Sequence, residues 1–470
     1  MRKTKIICTL GPAVDSDEMI EDLIKAGMDC ARFNFSHGDH AEQKNRIKRV
    51  RKVCGKLKMP VAMLLDTKGP EIRLKDFESG KVTLTEGQEF TLDKDQDIPG
   101  NEKRCGISYP ELCGCVTQGT KILIDDGKIA MEVKKTTKDS IVCTVQNGGE
   151  VSNHKSLNVP DVSIPMDFIS PSDRSDLLFG IEEGVDFVAA SFTRRADDVL
   201  AVRKLLDENG GNKIKIISKI ENKEGIENLQ EIVDVSDGIM VARGDMGVEL
   251  EYQMVPAIQK RIISACNAAG KIAVTATQML DSMISNPRPT RAEVSDVANA
   301  VYDETTAIML SGETASGKYP VEAVTAMAKI AEETEKSINY NTTTRRNACM
   351  VAKDRGTVLC KSATVAAMEL DAKAIVVKTM SGYTARVVSE FRPSCPIIAL
   401  TVDAVGRDQL KLAWGVKPYP SVMISDADEL FADAIDKVLS EKILKKGDIV
   451  VIIAGTGTDG VSDTMRIVQL

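Results

Sequence analysis

The stretch VDFVAASFTRRADDVLAVRKLLDENGGNKIKIISKIEN, residues 185–222, contains one complete structural unit of this chain. It begins with a short apolar run at 185–191, which predicts a buried β-strand. Apolar residues at helical spacing follow over 199–210, and the glycine that closes this run is typical of a helix end. A second strand is predicted at 215–218, so the stretch is a strand–helix–strand unit of an α/β protein.

The same unit recurs along the chain. The predicted strands are KIICTL (5–10), CARFNF (30–35), VAMLLD (61–66), VDFVAAS (185–191), KIIS (215–218), GIMVAR (238–243), KIAVTAT (271–277) and TAIMLS (306–311). Helical patterns such as 16–27 and 252–270 lie between them. Eight strand–helix repeats are the number that closes a (β/α)8 barrel, and almost continuously apolar strands suit a sheet covered by helices. An open doubly wound sheet is the alternative, and the count favours the barrel.

Two segments depart from this repeat. Between the third and fourth strands the chain is rich in turn signals and short alternating runs, which predicts a small all-β domain inserted over the catalytic face as a lid. After about residue 345 the polar stretch NYNTTTRRN introduces another α/β pattern. The predicted division is a (β/α)8 catalytic barrel (1–69 and 169–345), an inserted β-rich lid domain (70–168) and a C-terminal α/β effector and assembly domain (346–470).

Composition narrows the classes of protein. A length of 470 residues suggests about three domains, and 43% hydrophobic with 28% charged residues is ordinary for a globular protein. The net charge of −8 argues against nucleic acid or an anionic membrane as the main partner. The chain starts without a signal-peptide pattern and contains no apolar run of about 18 residues, so we expect a soluble, cytoplasmic protein.

The cysteines do not indicate a zinc site. There are 11 of them at irregular spacing, and Cys113 and Cys115 form a lone C-x-C without a second pair. Because a closed zinc site needs about four ligands at characteristic spacings, reduced cytoplasmic thiols are the better interpretation.

Polar residues follow the predicted barrel strands at the end where barrel enzymes carry their chemistry. They are Arg32, Asn34, Ser36, Asp66, Thr67, Lys68, Lys219, Glu221, Arg243, Asp245, Thr277, Gln278, Ser311 and Glu313. Each one alone also fits a helix N-cap or a solvated loop. Lys219 and Glu221, however, lie two residues apart on one strand and therefore share a face, where burying either one unpaired would be costly.

The charged strand ends indicate chemistry on anionic oxygens. Glu221 and Asp245 follow neighbouring strands and suit Mg2+, which takes few protein oxygens and leaves positions for a substrate. Lys219 beside them offers a positive charge to a developing oxyanion. This arrangement predicts phosphoryl transfer or chemistry through an enolate.

Two further groups of strand-end residues fit the same chemistry. Arg32 and Arg73 could clamp phosphates through their planar guanidinium groups. Hard oxygen ligands with one formal negative charge could hold a monovalent cation, although N-capping explains the same residues equally well in isolation. The oxygen cluster consists of Asn34, Ser36, Asp66 and Thr67.

Six longer motifs carry a resemblance to a known family. They are ARFNFSHG, LLDTKGPEIR, IISKIEN, MVARGDMGVE, TATQMLDSMISNPRPTRAEVSDVANAV and MLSGETASGKYP. In this order and spacing they resemble pyruvate kinase, and the resemblance covers essentially the whole chain. It implies transfer of the phosphoryl group of phosphoenolpyruvate to ADP, giving ATP and an enolpyruvate that is protonated to pyruvate, as in the last step of glycolysis. It also implies Mg2+ (or Mn2+) and K+ as cofactors and a homotetramer.

The resemblance further implies roles for the residues at matching positions. The catalytic residues are Lys219, Thr277 (where the proton is delivered) and Arg32, and the substrate contacts are Arg32, Lys219, Gly244, Asp245 and Thr277. The Mg2+ ligands are Glu221 and Asp245, the K+ ligands are Asn34, Ser36, Asp66 and Thr67, and the nucleotide contacts are Asn34, Arg73 and Lys155. Glu71 is the residue that accompanies K+ dependence in the family, so we predict activation by K+.

The chain departs from the family pattern at the hinge of the lid. Many members have G-V-N-L-P-G there, whereas this chain has SLNVPD at 156–161. Because two glycines are missing, the backbone is either stiffer or bends elsewhere.

An effector pocket is the remaining implication of the resemblance. It lies next to KTMSGYTAR (378–386) and the loop GTGTDG (455–460). Hydroxyl and backbone groups there could bind a phosphate, which predicts a phosphorylated allosteric effector, although an ordinary strand-to-helix turn explains the same residues. The candidate residues are Thr379, Ser381, Gly382 and Thr384.

Two glycine-rich sequences resemble nucleotide-binding motifs but lack essential parts. GETASGKY (312–319) has no Ser or Thr after its lysine, so it fits a barrel loop better than a P-loop. GTGTDG is not followed by the further strand and acidic residue of a dinucleotide site, so we interpret it as a loop.

Two other functions stay open. Another Mg2+-dependent enolate barrel, such as an aldolase or phosphoenolpyruvate mutase, would have no nucleotide-covering lid and no need of K+. A catalytically silent metabolite sensor would keep the fold, but the intact set of Lys219, Glu221, Asp245 and Thr277 argues against it. Strict dependence of turnover on ADP separates the kinase from both.

Overall fold

The computed structural model describes residues 2–349, 354–424, 426–455 and 462–470. The chain begins with β1 (Lys5–Thr9), α1 (Asp17–Ala26), β2 (Cys30–Asn34), α2 (His40–Leu57) and β3 (Ala62–Asp66). The Ser16 hydroxyl caps α1 by accepting a hydrogen bond from the backbone N–H of Met19, and Gly27 ends the helix with φ at 128°. The local sequence signals at 16–27 therefore set the bounds of this helix.

The segment after β3 is rich in strands. They are β4 (Ile72–Arg73), β5 (Lys81–Leu84), β6 (Glu89–Asp93), β7 (Arg104–Gly106), β8 (Lys121–Ile124), β9 (Ile129–Thr136), β10 (Ser140–Val145), β11 (Gly149–Ser152) and β12 (Ser156–Asn158). Seven of them form one sheet in the order β4-β12-β8-β9-β10-β6-β7, and β11 pairs with β5. Alternation along β10 buries Ile141, Cys143 and Val145 in a core of its own.

The chain then returns to strand–helix repeats. The elements are α3 (Pro171–Glu182), β13 (Phe187–Ala190), α4 (Ala196–Glu208), β14 (Lys215–Ile220), α5 (Lys223–Glu227), α6 (Leu229–Val235), β15 (Gly238–Ala242), α7 (Arg243–Glu249), α8 (Val255–Ala269), β16 (Ile272–Ala276), α9 (Arg291–Tyr302), β17 (Ala307–Leu310), α10 (Gly312–Ala315) and α11 (Pro320–Ser337). Eight parallel strands close in the order β1-β17-β16-β15-β14-β13-β3-β2, which confirms the predicted barrel. Its interior is packed with side chains such as Leu64, Phe187 and Met240.

The last elements form a separate α/β sheet, as predicted. They are α12 (Tyr340–Ala348), α13 (Arg355–Glu369), β18 (Ala374–Thr379), α14 (Tyr383–Glu390), β19 (Ile397–Thr401), α15 (Ala404–Gln409), β20 (Val416–Pro420), α16 (Ala427–Ser440), β21 (Ile449–Ala454) and β22 (Thr464–Gln469). The sheet order is β20-β19-β18-β21-β22, with β22 antiparallel. Most of the predicted loop GTGTDG, residues 456–460, lies outside the described residues.

The polar stretch at 339–347 is helical. It forms most of α12, in which Thr344 and Asn347 are buried. The Thr344 hydroxyl donates to the Arg392 carbonyl at 3.0 Å, and the Asn347 side-chain amide donates to the Glu390 carbonyl at 3.1 Å. These polar side chains satisfy backbone acceptors at the junction with the C-terminal sheet, which explains how a polar sequence packs there.

The barrel is covered at both ends. The β-rich segment leaves from the carboxyl end of β3 and contacts the barrel again through Asn158, which donates to Glu249 at 2.9 Å. At the opposite end, the Lys5 ammonium donates to the Val416 carbonyl of the C-terminal sheet at 2.7 Å. The strand ends that carry the candidate residues therefore face the β-rich segment.

Candidate active site

Lys219 stands at the centre of the strand-end cluster. It lies on β14, only 8% exposed, and Glu221 directly after the strand is fully buried. The Lys219 Nζ atom is 3.0 Å from Glu221 Oε1 and 3.2 Å from Asp66 Oδ1. Burial alone would lower the pKa of the Lys219 ammonium, but the two carboxylates outweigh it and hold this pKa above the usual value. The lysine is therefore charged at neutral pH.

Asp66 joins this lysine to an arginine. Its Oδ2 atom accepts a hydrogen bond from Arg32 Nε at 2.6 Å, and Arg32 Nη1 donates to the Thr9 hydroxyl at 2.9 Å. Burial acts to raise the pKa of Asp66, but the charges of Arg32 and Lys219 outweigh it and keep the pKa below its usual value. Two cations, from β2 and β14, thus share the buried carboxylate at the end of β3.

Ser191 is a member of the cluster that the sequence interpretation missed. The Lys219 ammonium donates to its hydroxyl oxygen at 2.7 Å, and the same hydroxyl lies 2.7 Å from the Thr67 carbonyl and 3.1 Å from Asp66 Oδ1. The signal was available, because Ser191 is the last residue of the predicted strand 185–191 and thus another strand-end polar residue.

Replacing Ser191 by Ala is expected to lower kcat about tenfold. The ammonium would lose a fixed acceptor, and a hydrogen bond to a charged group is worth about 1.5–3 kcal/mol, of which 1.4 kcal/mol corresponds to tenfold in rate. Steady-state kinetics checks this against Ser362→Ala, in which an exposed hydroxyl on α13 is lost. A kcat equal to that of the control variant would show that Ser191 does not position the lysine.

The Glu221 carboxylate suits a divalent cation. Its Oε2 atom accepts a hydrogen bond from the Phe192 N–H at 2.6 Å. Its buried Oε1 lies 3.0 Å from the Lys219 ammonium but accepts no hydrogen bond of good geometry from a described residue. Burial and the nearby Asp245 carboxylate raise the pKa of Glu221 well above its usual value, although Lys219 opposes them. A cation at Oε1 would remove this penalty. The described residues hold no group of three or more His, Cys, Asp or Glu side chains that could bind a metal ion.

Thr277 is held in a strained conformation beside Gly244. Its φ is 68°, in the left-handed region that a β-branched residue rarely adopts. The Thr277 hydroxyl accepts a hydrogen bond from the Gly244 N–H at 2.7 Å and donates to the Ala276 carbonyl at 2.6 Å. Arg243 Nη2 fixes this turn by donating to the Thr277 carbonyl at 2.7 Å, and its guanidinium is paired with Asp296 at 2.8 Å. The conformation brings the threonine hydroxyl to the first turn of α7.

The oxygen cluster is only partly assembled by side-chain contacts. Asn34 pairs with Asp66 across β2 and β3, so their backbones are neighbours. The Asn34 side-chain oxygen accepts from the Ser36 N–H at 3.1 Å, and the Thr67 hydroxyl accepts from the Ser191 N–H at 3.2 Å. These local hydrogen bonds are those of turn residues.

Arg73 and Lys155 come together on the β-rich segment. Arg73 ends β4 and pairs with Ser156 of β12, which Lys155 precedes. Arg73 Nη2 is 2.7 Å from Glu71 Oε2, and Lys155 Nζ is 2.8 Å from Asp125 Oδ1. Each cation is therefore oriented by a carboxylate at the edge of one sheet.

A cavity of about 270 Å3 lies between the β-rich segment and the barrel. Glu71, Asn158, Phe192, Asn222 and Glu249 are among the residues that line it. Its volume is near the lower end of small-molecule sites, and it adjoins Glu221 through the neighbouring Phe192 and Asn222.

The altered hinge keeps a glycine-like backbone without the glycine. Asp161 adopts φ of 64°, and its carboxylate is 2.5 Å from the Lys223 ammonium of α5. Asp tolerates the left-handed region better than most residues, so the backbone bends at 161 without a glycine.

The candidate effector residues form a turn between β18 and α14. The Thr379 hydroxyl accepts from the N–H of Gly382, whose φ is 85°, at 3.1 Å. The Thr384 and Ser462 hydroxyls are 2.7 Å apart, and Ser381 is exposed. The geometry is that of a strand-to-helix turn, and the neighbouring residues 456–461 lie outside the described part of the chain.

A (β/α)8 barrel with a charged lysine and carboxylates at its strand ends is typical of an enzyme that acts on anionic oxygens. Its similarity to known proteins shows that this enzyme is a phosphotransferase. Residues 1–324 match the family model "Pyruvate kinase, barrel domain", and residues 357–468 match "Pyruvate kinase, alpha/beta domain". The chain belongs to the pyruvate kinase family.

Individual relatives agree with the family models over the whole chain. The chain is 50% identical to a pyruvate kinase of Clostridium acetobutylicum over 470 residues, with 100% of this chain and 99% of that protein covered. It is 46% identical to a pyruvate kinase of Clostridium perfringens, with 100% of both covered. A crystal structure of a pyruvate kinase from Cryptosporidium parvum has a TM-score of 0.94 and 39% identity, covering 100% of this chain and 96% of that one. The predicted resemblance is thus confirmed. Across the described residues, no helix has the length and apolarity to cross a bilayer.

Proposed function

We propose that this chain transfers the phosphoryl group of phosphoenolpyruvate to ADP at the Lys219 cluster, with Mg2+ (or Mn2+) and K+ as cofactors. The observation that carries the proposal is the buried, charged Lys219, whose ammonium is held within 3.2 Å of Glu221 and Asp66. Such a fixed cation offsets the charge that develops on the transferring phosphoryl group and on the enolate.

The other barrel residues are assigned to neighbouring tasks. Glu221 and Asp245 would hold Mg2+, which neutralises phosphoryl and carboxylate oxygens when bound. Arg32 binds the substrate phosphate, and Gly244 and Thr277 contact the substrate. Thr277 lies where the enolate receives its proton, through water, since an unassisted hydroxyl is a poor acid.

The nucleotide is assigned to the face that the β-rich segment covers. Asn34, Arg73 and Lys155 would contact its phosphates, and the paired carboxylates Glu71 and Asp125 orient the last two side chains. The segment 70–168 acts as the lid in this proposal, which limits the access of water to the transferring group.

The same proposal includes regulation and assembly. A phosphorylated effector would bind at the turn of Thr379, Ser381, Gly382 and Thr384, and the C-terminal segment 346–470 would carry it and support a homotetramer in the cytoplasm. Titrating phosphorylated metabolites against the rate at low phosphoenolpyruvate tests the effector, and a flat response to all of them would contradict it.

Pyruvate formation from phosphoenolpyruvate with Mg2+, with and without ADP, tests the function. We expect turnover only when ADP is present. Turnover without ADP would indicate a mutase-like or hydrolytic enzyme, and no turnover in folded protein would indicate a silent sensor.

Replacing K+ by Na+ at constant ionic strength is expected to reduce the rate at least tenfold. Asn34, Ser36, Asp66 and Thr67 are the proposed K+ ligands, and Glu71 is the residue that accompanies K+ dependence. The matched variant is Glu71→Lys, which supplies a fixed positive charge and is expected to be much less sensitive to the cation. If the wild-type rate without K+ equals the rate at saturating K+, the proposed K+ site is wrong.

A further inference from the structure

A second cavity lies at the other end of the barrel, where the C-terminal sheet covers the strand starts. Its volume is about 60 Å3. From the barrel, Lys215 at the start of β14 and Lys271 just before β16 line it, and from the C-terminal part Arg386 of α14 and Arg392 do so. Lys215 and Lys219 stand at opposite ends of the same strand, so this cavity is separate from the candidate active site.

The two arginines of this cavity are incompletely paired. Arg392 is 5% exposed. Its Nη2 donates to the side-chain oxygen of Asn267 at 3.1 Å and to the backbone carbonyl of Glu304 at 2.8 Å, and both acceptors are neutral. Its buried Nη1 has no acceptor among the described residues. The half-buried side chain of Arg386 lies 5.9 Å from the centre of the Tyr383 ring. Asp237 and Glu390 attract its charge, but it forms no hydrogen bond or ion pair with another described residue.

The two lysines of the cavity add further positive charge, which nearby carboxylates only partly compensate. Lys271 Nζ donates to the Ser236 carbonyl at 2.6 Å, and Lys215 Nζ is paired with Asp237 at 2.7 Å. Glu390 is the carboxylate that lines the cavity, so the cations outnumber the acids there. Burial lowers the pKa of Lys215, and the nearby Arg386 lowers it further against the attraction of Asp237. Burial also lowers the pKa of Arg392, to about 10. Burial lowers the pKa of Arg386 as well, although Asp237 and Glu390 attract its charge. The cavity therefore places more cations than acids in a poorly hydrated environment.

We propose that this cavity is an anion site for a phosphate group, which bridges the barrel and the C-terminal sheet. Guanidinium groups bind phosphate oxygens through paired N–H donors, and two lysines add point charges. The volume equals that of about two water molecules in the liquid, enough for a tetrahedral oxyanion but not for a nucleoside. The phosphate is either free or the end group of a small metabolite. The residues that line the cavity do not include Thr379, Ser381, Gly382 or Thr384, so it is distinct from the proposed effector turn.

Thermal unfolding of the full chain in inorganic phosphate tests the site. A ligand that binds only the folded protein raises its stability, so wild type is expected to gain about 2 °C in Tm over chloride of equal ionic strength. Arg386→Gln is expected to lose this gain, and without phosphate it should be at least as stable as wild type, since an unpaired charge is removed. Lys271→Gln provides a second variant with the same expected loss.

The controls separate this site from other phosphate sites. Arg345→Gln removes an exposed arginine of α12 and should keep the gain. Thr384→Val changes the proposed effector turn and therefore reports any phosphate that binds there instead. A full gain in Arg386→Gln and Lys271→Gln, or its loss only in Thr384→Val, would overturn the proposal. A wild-type Tm in phosphate no higher than its Tm in chloride would also overturn the proposal. A phosphomonoester such as glycerol 3-phosphate that reproduces the gain identifies a metabolite phosphate, whereas a response to inorganic phosphate alone identifies the free ion.

Discussion

Replacing Lys219 by Met is expected to lower ADP-dependent pyruvate formation by about 10^3-fold. The side chain volume is kept, but the ammonium that faces Glu221 and Asp66 is lost. Removing one fixed donor from a site of developing negative charge typically costs about 10^2–10^3 in rate, and a full charge in a buried site belongs at the upper end. The measurement is kcat with saturating phosphoenolpyruvate, ADP, Mg2+ and K+.

Two further variants make this result specific. Lys204→Met removes a 75% exposed lysine of α4 and is expected to keep the wild-type rate. Lys219→Arg keeps the positive charge, so the two carboxylates stay compensated and the fold is retained, but its wider guanidinium cannot take the place of Nζ beside Ser191. A rate within tenfold of wild type in folded Lys219→Met would remove this lysine from the chemistry.

The barrel could be predicted because its determinants are local. Each of the eight strands is an apolar run followed by a polar turn and a helix pattern, and 16–27 carries its own cap and stop signals. The strand ends then follow from topology, since parallel strands in a closed barrel bring residues as distant in sequence as Arg32, Asp66 and Lys219 to one rim. The roles of the individual residues came from motifs that resemble a known family, because the spacing of the strand-end residues alone does not define those roles.

The pairing within the site could not be predicted from the sequence. Lys219 was expected beside Glu221, but its contacts with Asp66 and Ser191 depend on side-chain directions and on the β13–β3 register. The cavity beneath the barrel was equally hidden, because Lys215 and Arg386 are 171 positions apart and resemble ordinary surface cations in the sequence. Long-range packing decides such contacts, and no local pattern records it.

The two ends of the barrel suit ions of opposite charge because their buried side chains differ in charge. At the carboxyl ends, the buried Asp66 carboxylate compensates Arg32 and Lys219, whereas burial and Asp245 raise the pKa of Glu221, so a divalent ion beside Glu221 would be stabilising. At the amino ends, Arg392 Nη1 has no acceptor among the described residues, and four cations line the cavity beside one carboxylate, Glu390, so an anion would be stabilising there. One strand, β14, contributes a lysine to each end.

Glu221→Gln is expected to reduce kcat/KM for phosphoenolpyruvate by about 10^2–10^3-fold and to raise the Mg2+ concentration needed for half-maximal rate. The amide keeps an oxygen for the Phe192 N–H, so the loss reports the missing charge at Oε1. Thermal unfolding gives a readout independent of turnover: Mg2+ should raise the Tm of wild type and leave that of the variant unchanged.

Without Mg2+, the Glu221→Gln variant should be at least as stable as wild type. Burial and Asp245 raise the pKa of Glu221 despite the attraction of Lys219, which means that the folded protein favours the neutral form of this side chain. A neutral amide therefore avoids the free-energy cost of a buried negative charge, which wild type bears until a cation binds. Glu208→Gln, an exposed substitution on α4, should match wild type in both respects. If the variant keeps the wild-type Mg2+ dependence of both rate and Tm, Glu221 is not a metal ligand.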